Sequence, residues 1–436
     1  MLPFALQHVD LVRADGTRSV IRDANLVVNS QGIIESAGAG AAIPEGYRII
    51  DGTGRFVLPG LINAHAHLFA DGRRMPSYLT SETAEAALLA VLHSPVGKLI
   101  LDRRTRTNVQ TQLHSGVTTI RSLGDVRYEV VRARDAISAG KYPGPRLIPA
   151  GPLLAVSGGH GAPQIALVSD NPWDARKNVR LNLRKGTTAI KIAATGGVTD
   201  ARAIGEAGRP QMTVEEMRAI CEEAHNADVL VAAHAQSAEG ITRALRAGVD
   251  TIEHGASMTP EMIELFLDNP NSLHGTSALV PTITACLPLV TLDPSVTGIN
   301  RIVRANAELV WEEMLSGISS AVENGISLGF GTDSALTYVT HYGAWREMDY
   351  AVRYAGLTPA QVLHSATGAN ARILGLEQTT GALEPGLEAD FVVVRENPLE
   401  NLRTLEHPVM VSARGQLIEN PSVKRFPEVD QILDSL

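Results

Sequence analysis

Two histidines at the end of an apolar run are the residues of this 436-residue chain whose spacing most directly suggests chemistry. Residues 57–67 read Val-Leu-Pro-Gly-Leu-Ile-Asn-Ala-His-Ala-His and end with His65 and His67. Alternate side chains of a β-strand point to the same face, so both imidazoles would leave the strand toward one point. Imidazole is a good ligand for zinc and its neighbours. The spacing therefore predicts two ligands of one metal site, although two ordinary histidines at a strand end would show the same pattern.

Four more short apolar runs carry a titratable residue within or directly after them. These residues are Lys191, His234, His254 and Asp333. Each has a plain structural explanation when it is taken alone: a buried histidine, a lysine that reaches solvent, or an aspartate at a helix N-terminus. With the first two histidines, six such residues would have to converge by accident. Together they predict a single metal centre.

Lys191 needs a separate explanation, because an ammonium group beside a metal cation would be repelled. A desolvated, neutral amine can instead add carbon dioxide. The resulting carbamate is an anionic ligand with two oxygens and can bridge two metal ions. The hypothesis is therefore an N6-carboxylysine at position 191.

Short apolar strands alternate with amphipathic helices between about residues 61 and 376, and this alternation would position the candidate ligands. The predicted strands are Leu58–Asn63, Val117–Arg121, Arg146–Ala150, Ala189–Ala193, Val229–Ala233, Thr251–Glu253, Leu279–Thr282 and Ser327–Gly331. Eight strands separated by helices favour an α/β fold, a (β/α)8 TIM barrel, over an open doubly wound sheet. Helix-start signals at Thr213, Thr259 and Thr358 support this pattern. Barrel enzymes carry their chemistry at the C-terminal ends of the strands, where the candidate ligands lie.

Both ends of the chain have a different texture, with short strands separated by turn residues and no helical period. Residues 1–58 and 377–425 each contain too few strands to form a stable sheet alone. We expect them to build one small β-sandwich domain beside a barrel formed by residues 59–376. Residues 426–436 are predicted to be a surface helix or a frayed tail.

Composition limits the functional class. The chain is 44% hydrophobic and 19% charged with a formal net charge of −9, and it has no basic block, which argues against a nucleic-acid partner. No apolar run is long enough to cross a bilayer, and the first residues lack the pattern of a secretory signal. Only Cys221 and Cys286 are present, which suits a reducing compartment. These features predict a cytoplasmic protein without a membrane partner.

The order His-x-His, Lys, His, His, Asp resembles the amidohydrolase superfamily, specifically its binuclear members with a carboxylated bridging lysine. The resemblance extends over nearly the whole chain, through residues 57–67, 366–371 and 381–390. The stretches Ser-Gly-Gly-His-Gly at 157–161 and Thr-Gly-Gly at 195–197 are similar to the imidazolonepropionase-related dipeptidases. Those enzymes cleave Xaa-Pro or Xaa-Arg/Lys dipeptides and N-acyl amino acids, and related enzymes hydrolyse ochratoxin.

The resemblance implies a role for each candidate ligand. His65, His67 and Asp333 would hold the more buried of two divalent ions, expected to be Zn2+, while His234 and His254 would hold the more exposed one. Carboxylated Lys191 and a hydroxide would bridge them, and the hydroxide would attack the scissile carbonyl. Asp333 would take its proton and pass it to the leaving amine.

Further residues are candidates for substrate contacts. His160 could donate to the oxyanion or bind substrate, and an ordinary loop histidine is the alternative. Gln236 stands where the related dipeptidases often carry a tyrosine that contacts substrate. Arg73 and Arg74 could bind a carboxylate, although solvated arginines are the alternative, and His341 could line the pocket.

The sequence thus predicts a hydrolase that cuts an amide next to a free carboxylate, in the manner of a dipeptidase, a carboxypeptidase or an ochratoxin-type amidase. The partners expected are a dipeptide-like small molecule and further copies of the chain. A cyclic amide, lactone or phosphotriester hydrolase on the same site is the alternative, because fold and metals do not fix the substrate. A non-catalytic binding protein is disfavoured because all six ligands are present.

Overall fold

A computed structural model describes residues 2–74, 89–162 and 164–436 of the chain. Its strands fall into three hydrogen-bonded sheets of eight, six and three strands. The eight-stranded sheet contains both ends of the chain, and the other two contain the central strands. The structure is therefore mixed α/β, and five of the six candidate ligands lie on or directly after strands of the two central sheets.

The terminal sheet joins strands that are more than 300 residues apart in sequence. Its strands are β1 (Phe4–Val12), β2 (Val20–Val28), β3 (Ile34–Ala39), β4 (Arg48–Asp51), β5 (Phe56–Pro59), β15 (Phe391–Val394), β16 (Met410–Ala413) and β17 (Gln416–Glu419). Strand β5 pairs with β1 on one side and with β15 on the other. The sequence predicts a sandwich of two sheets. In the structure, these pairings join all eight strands in a single sheet.

Gly60 separates the terminal sheet from the first central strand, β6 (Leu61–Ala66). The predicted strand Leu58–Asn63 is split at this residue, because β5 pairs with β15 whereas β6 pairs with β7 (Val117–Ser122). A Cβ atom at position 60 would lie 2.2 Å from Thr118 Oγ1, so the close approach of the two segments requires glycine.

The central strands are parallel. Beside β6 and β7 lies β8 (Arg146–Pro149), and the second sheet contains β9 (Leu153–Ala155), β10 (Ala166–Val168), β11 (Ile190–Ala193), β12 (Val231–Ala235), β13 (Thr251–His254) and β14 (Ala278–Val280). Strands β9 and β10 are absent from the sequence prediction. Both have only three residues, which is too few for a periodic pattern to be recognised.

The predicted eighth strand, Ser327–Gly331, is not a regular strand in the structure. It forms one isolated bridge, between Leu328 and Leu279. Its backbone nevertheless contacts both central sheets, since Leu279 donates to the Ser327 carbonyl and Ala64 donates to the Phe330 carbonyl. The two glycines in this segment weaken its strand propensity.

Helices follow most central strands. They are α1 (Pro95–His114), α2 (Glu129–Ser138), α3 (Pro172–Arg184), α4 (Val214–His225), α5 (Ala238–Ala247), α6 (Pro260–Leu267), α7 (Ile283–Thr291), α8 (Pro294–Thr297), α9 (Arg301–Glu323), α10 (Ala344–Ala355), α11 (Pro359–His364), a π-helical turn (Ser365–Ala369), α12 (Asn370–Ile373), a 3-10 turn (Leu402–Glu406) and α13 (Pro427–Leu433). The predicted N-caps Thr213, Thr259 and Thr358 each accept a backbone N–H, so those helix starts are confirmed. Within the described part of the chain, no helix is both long and apolar enough to cross a membrane.

The C-terminal segment is a docked helix, not a frayed tail. Val429 and Leu433 of α13 are buried in the same apolar cluster as Trp345. Asp434, just after the helix, lies 2.7 Å from the guanidinium of Arg346. The sequence prediction missed this packing because only two residues of the short helix are apolar and buried.

The terminal sheet packs its own apolar cluster, and this cluster generates a prediction. Phe391 is completely buried there and its ring lies 6.3 Å from that of Phe4. Phe391→Ala should lower the free energy of unfolding by about 3–5 kcal/mol, because it removes a buried ring and leaves a cavity. Ile49→Ala, at a side chain that is 57% exposed, is the matched control and should change it by less than about 0.5 kcal/mol. Circular dichroism monitors unfolding in urea. Equal midpoints for the two variants would contradict this account of the sheet.

Candidate metal centre

The six predicted ligands lie at strand ends and all are buried. His65 belongs to β6, Lys191 to β11, His234 to β12 and His254 to β13, while His67 and Asp333 lie just beyond a strand or the irregular eighth segment. Their exposed fractions are between 1% and 8%. The backbone register places the two histidines of β12 and β13 next to each other, since Ala235 is paired with His254.

Asp333 is the point at which the His-x-His pair converges. Its Oδ1 atom lies 3.1 Å from His67 Nε2 and 3.4 Å from His65 Nε2. The ring centroids of the two histidines are 5.7 Å apart, as expected for side chains that leave a strand on the same face. One ligand atom each from His65, His254 and Asp333 lies within 4.8 Å of the others, which is a possible site for a metal ion.

The imidazoles continue as a row from this point. The His254 ring centroid lies 5.1 Å from that of His65 and 4.6 Å from that of His234. His234 in turn stacks on His160, with centroids 4.1 Å apart and an interplanar angle of 25°. His160 lies in the loop between β9 and β10, so this loop reaches the edge of the cluster.

Three of the four imidazoles form a hydrogen bond through one ring nitrogen, and the fourth, His65, has a carboxylate close to one of its nitrogens, which leaves the other nitrogen of each ring for a metal. Nδ1 of His67 donates to the Gly124 carbonyl at 3.2 Å, and Nδ1 of His254 lies 2.8 Å from Thr282 Oγ1. His234 uses Nε2 to donate to the Gly196 carbonyl at 3.2 Å. His65 Nδ1 lies 2.8 Å from Glu253 Oε2. Such partners orient a metal-binding imidazole and fix which nitrogen bears the proton.

The backbone is strained at two of these positions. His254 has φ +72° and Asp333 has φ +55°, in the left-handed region that non-glycine residues seldom adopt. In a regular strand Glu253 and His254 would point to opposite faces. The strand ends in a turn at His254. As a result, the His254 ring lies 5.1 Å from the ring of His65, and Glu253 Oε2 lies 2.8 Å from His65 Nδ1.

Burial sets the electrostatics of the centre. It lowers the pKa of Lys191 to about 8 and that of His254 to about 4, and it holds the pKa of His65 and His234 well below the usual value. Burial opposes ionisation of Asp333, but the neighbouring imidazoles lower its pKa below the ordinary range. Neutral imidazoles and an ionised carboxylate are the protonation states that a metal ion requires.

Within the candidate site, the buried Lys191 Nζ donates no hydrogen bond to any residue in the described part of the chain. An unpartnered buried polar group is costly unless something else occupies the site. A donor set of imidazoles, a carboxylate and an amine with no partner fits divalent metal ions such as zinc.

Sequence reasoning missed Glu253 and Arg121. Both are completely buried, and they form an ion pair with 2.9 Å between Arg121 Nη2 and Glu253 Oε1. Arg121 had a recognisable signal, a charged residue within an otherwise uncharged strand. Glu253 was hidden because the next residue is His254, and strand alternation would have placed the glutamate on the opposite face.

The structure also gives His160 a partner that the sequence did not reveal. Its Nδ1 lies 2.9 Å from Asp200 Oδ2, and its backbone N–H donates to the side chain of Gln211. Gln236 is 9% exposed, follows the strand that carries His234, and has an unpartnered Oε1. Both residues therefore lie beside the cluster, as the sequence predicted, and their substrate roles stay predictions.

The other predicted substrate contacts have protein partners. Arg73 forms an ion pair with Asp71 and its guanidinium lies 4.7 Å from the centre of the Phe426 ring. Arg74 donates to the carbonyls of Ser295 and Val296. His341 uses both ring nitrogens, one toward Gln112 and one toward the Ala70 carbonyl. These contacts do not favour the predicted roles of Arg73, Arg74 and His341 in substrate binding.

Comparison with known proteins gives consistent matches. The sequence matches the model of the amidohydrolase family over residues 56–418. Ochratoxinase of Aspergillus niger is 26% identical over 450 aligned positions, which take in 96% of this chain and 87% of that protein. These matches confirm the resemblance that the motifs predicted.

Solved structures extend the comparison. A Bifidobacterium longum protein that is provisionally described as a prolidase is similar with a TM-score of 0.87 and 47% identity, over 100% of this chain and 98% of that one. A Xaa-Pro dipeptidase with methionine bound in its active site has a TM-score of 0.81 and 29% identity, over 96% of this chain and 100% of that one. With the family match, such neighbours imply a TIM-barrel-type fold for the central strands.

The burial of His341 generates a prediction for the pH dependence of stability in the chelator-treated protein. Burial lowers the pKa of His341 to about 4 from the ordinary 6.5. Between those pH values the unfolded chain binds a proton that the folded chain does not, so stability should fall as the pH decreases from 6.5 to 4. His341→Gln keeps a donor and an acceptor but cannot titrate, and its melting temperature should decline less steeply over this range. Identical slopes for the variant and the wild type would contradict the neutral state of His341.

Proposed function

Since the chain belongs to the amidohydrolase family and is a metal-dependent hydrolase of amide bonds, we propose that it cleaves the peptide or N-acyl amino acid bond next to a free carboxylate. The proposal places it with dipeptidases and ochratoxin-type amidases. Its support is the pair of relatives named above, an ochratoxinase and a Xaa-Pro dipeptidase. In a dipeptide the scissile amide lies one residue from a free carboxylate, which defines this substrate class.

The observation that carries the proposal is that His65, His254 and Asp333 can reach one metal ion, while the buried Lys191 Nζ has no hydrogen-bond partner within the described residues. We infer that His65, His67 and Asp333 would hold one divalent ion and that His234 and His254 would hold the second. Lys191, as its carbamate, would join the two sites. Two divalent ions in such a site supply a nucleophilic water at neutral pH and polarise the amide carbonyl.

Asp333 is the residue proposed to move the proton. Its backbone N–H and that of Thr332 donate to the His65 carbonyl, which fixes the segment against β6. The low pKa of its carboxyl means that Asp333 is ionised at neutral pH and can accept the proton of the attacking water. The same carboxyl then delivers that proton to the leaving amine.

His160 is proposed to bind the substrate carbonyl or carboxylate. The contact of Nδ1 with Asp200 leaves Nε2 as the nitrogen available to a substrate. The His160 ring stacks on that of His234, which is a proposed metal ligand. The His160 side chain is 23% exposed. A partly exposed donor beside a buried cluster is positioned where a substrate would meet it.

The fold proposal follows the same family pattern. We infer that the central strands close into a (β/α)8 barrel, with residues 327–334 in the place of the eighth strand. The support comes from the backbone hydrogen bonds of Ala64 and Leu279 to this segment, and from that of Thr188 to the Pro149 carbonyl between β8 and β11. The domain boundaries expected from the sequence, at residues 58 and 376, and the homo-oligomeric state are part of this proposal.

Replacement of the bridging lysine tests the metal arrangement. Lys191→Ala should lower the metal content from about two ions per chain to below one and reduce kcat/KM by more than about 100-fold, because it removes the group that joins the two sites. Metal is measured by elemental analysis of the dialysed protein. Exposed Lys177→Ala is the matched control and should keep both properties. Full metal content and turnover in Lys191→Ala would exclude the binuclear scheme.

A substrate panel tests the reaction. Xaa-Pro and Xaa-Arg dipeptides and N-acyl amino acids should be hydrolysed, and amidation of their terminal carboxylate should raise KM more than it lowers kcat, because that charge is used in binding. Lactones and phosphotriesters in the same assay represent the alternative function. Faster hydrolysis of either class than of every amide tested would replace the proposal.

A further inference from the structure

A completely buried arginine lies behind the candidate metal centre. Arg121, on β7, is among the largest fully buried side chains of the described chain. Its guanidinium donates to the Ala64 carbonyl at 2.6 Å, to Thr251 Oγ1 at 3.0 Å and to Glu253 Oε1 at 2.9 Å. It therefore connects β7 with the backbone beside His65 on β6 and with two side chains on β13.

Glu253 continues this connection to His65. Its Oε1 atom accepts from Arg121 and, at 2.6 Å, from the Thr251 hydroxyl. Its Oε2 atom lies 2.8 Å from His65 Nδ1, a close contact that does not have hydrogen-bond geometry, and neither atom has a hydrogen-bond partner among the described residues. The carboxylate thus has one oxygen for the arginine and the threonine and the other for the imidazole.

His65 differs in this respect from the other three imidazoles. His67 and His234 donate to backbone carbonyls, and the partner of His254 is a threonine hydroxyl. These partners are neutral, whereas the partner of His65 is a carboxylate. A charged acceptor forms a stronger contact and makes the opposite ring nitrogen a better metal ligand.

Stability alone is a poor explanation for this ion pair. Both charges lie in an interior without solvent contact, and apolar side chains of similar volume often replace such pairs without loss of stability. Arginine also stays protonated in surroundings where a lysine would lose its proton. The positive charge of Arg121 attracts the carboxylate of Glu253 and occupies the oxygen that faces away from His65.

We propose that Arg121, Thr251 and Glu253 are positioning residues that make His65 the strongest of the imidazole ligands. Arg121 and Thr251 hold Glu253, and its Oε2 atom, 2.8 Å from His65 Nδ1, favours the tautomer with the proton on Nδ1, so that Nε2 is free to face Asp333. The ion held by His65 is then the more tightly bound of the two. This inference rests on the metal centre proposed above and adds the residues that set its affinity.

The experiment measures metal affinity and not activity alone. Wild-type protein and Glu253→Gln are loaded with Zn2+ and titrated with a competing chelator at fixed pH, and the Co2+-loaded forms are compared by visible absorption. Glutamine keeps an oxygen for His65 but removes the charge. The tighter of the two dissociation constants should rise by about 10- to 100-fold. The Co2+ spectrum should change as well, because the ligand field of His65 weakens.

A milder pair of variants keeps the test decisive if Glu253→Gln fails to fold. Thr251→Val removes the hydroxyl that links Arg121 and Glu253 while retaining the volume, and Thr251→Ser restores the hydroxyl. We expect Thr251→Val to weaken the tighter site less than Glu253→Gln does, and Thr251→Ser to retain wild-type affinity. Rescue by serine separates a hydrogen-bonding role from a packing role.

Arg146→Met is the matched control for the loss of an interior ion pair. Arg146 lies at the opposite end of a central strand and is 3.2 Å from Asp390 in the terminal sheet. This variant should be less stable but should keep both metal affinities. Wild-type affinity in Glu253→Gln and Thr251→Val, or an equal loss in Arg146→Met, would overturn the inference. A wild-type protein that binds no metal would instead overturn the proposed function.

Discussion

The candidate site depends on one constraint: a buried imidazole that is to bind a metal must use its second nitrogen elsewhere. In this structure the four partners are the Gly124 and Gly196 carbonyls, the Thr282 hydroxyl and the Glu253 carboxylate. They come from loops and strands all around the centre. The three loops that contain Gly124, Gly196 and Thr282 therefore do more than connect elements, because each supplies a polar group that orients a histidine.

Burial and the contacts between the ligands together set the protonation states at this centre. Desolvation keeps the imidazoles neutral, and the same imidazoles favour the ionised form of Asp333. Lys191 is the one group of the six whose usual charge would repel a cation. Burial lowers its pKa to about 8, which favours the neutral amine. Exclusion of water thus prepares the imidazoles and the lysine for a metal site, and the contacts of Asp333 with the imidazoles keep its carboxylate ionised.

The sequence predicted those parts of the site that follow from local periodicity. A strand that ends in His-x-His must direct both rings to one face, and in the structure His65 Nε2 and His67 Nε2 lie 3.4 Å and 3.1 Å from Asp333 Oδ1. Glu253 could not be found in this way, since strand alternation places it opposite His254, and only the left-handed backbone of His254 brings both side chains to His65. The irregular segment at 327–331 was predicted as a strand because its apolar pattern is that of a strand, whereas its hydrogen bonds depend on distant partners. Contacts such as His160 with Asp200 join two loops, and no local pattern encodes them.

The pairing of β5 with both ends of the chain has a consequence for synthesis. At a translation rate of about 5–20 residues per second, β15 leaves the ribosome roughly 20 to 60 s after β5. During that interval the nascent chain presents an apolar strand with one unpaired edge, a surface that can pair with the same strand of another molecule. The yield of folded protein in a cell would then depend on how well chaperones shield this edge until the last strands emerge, and slower expression in a chaperone-rich host should favour it.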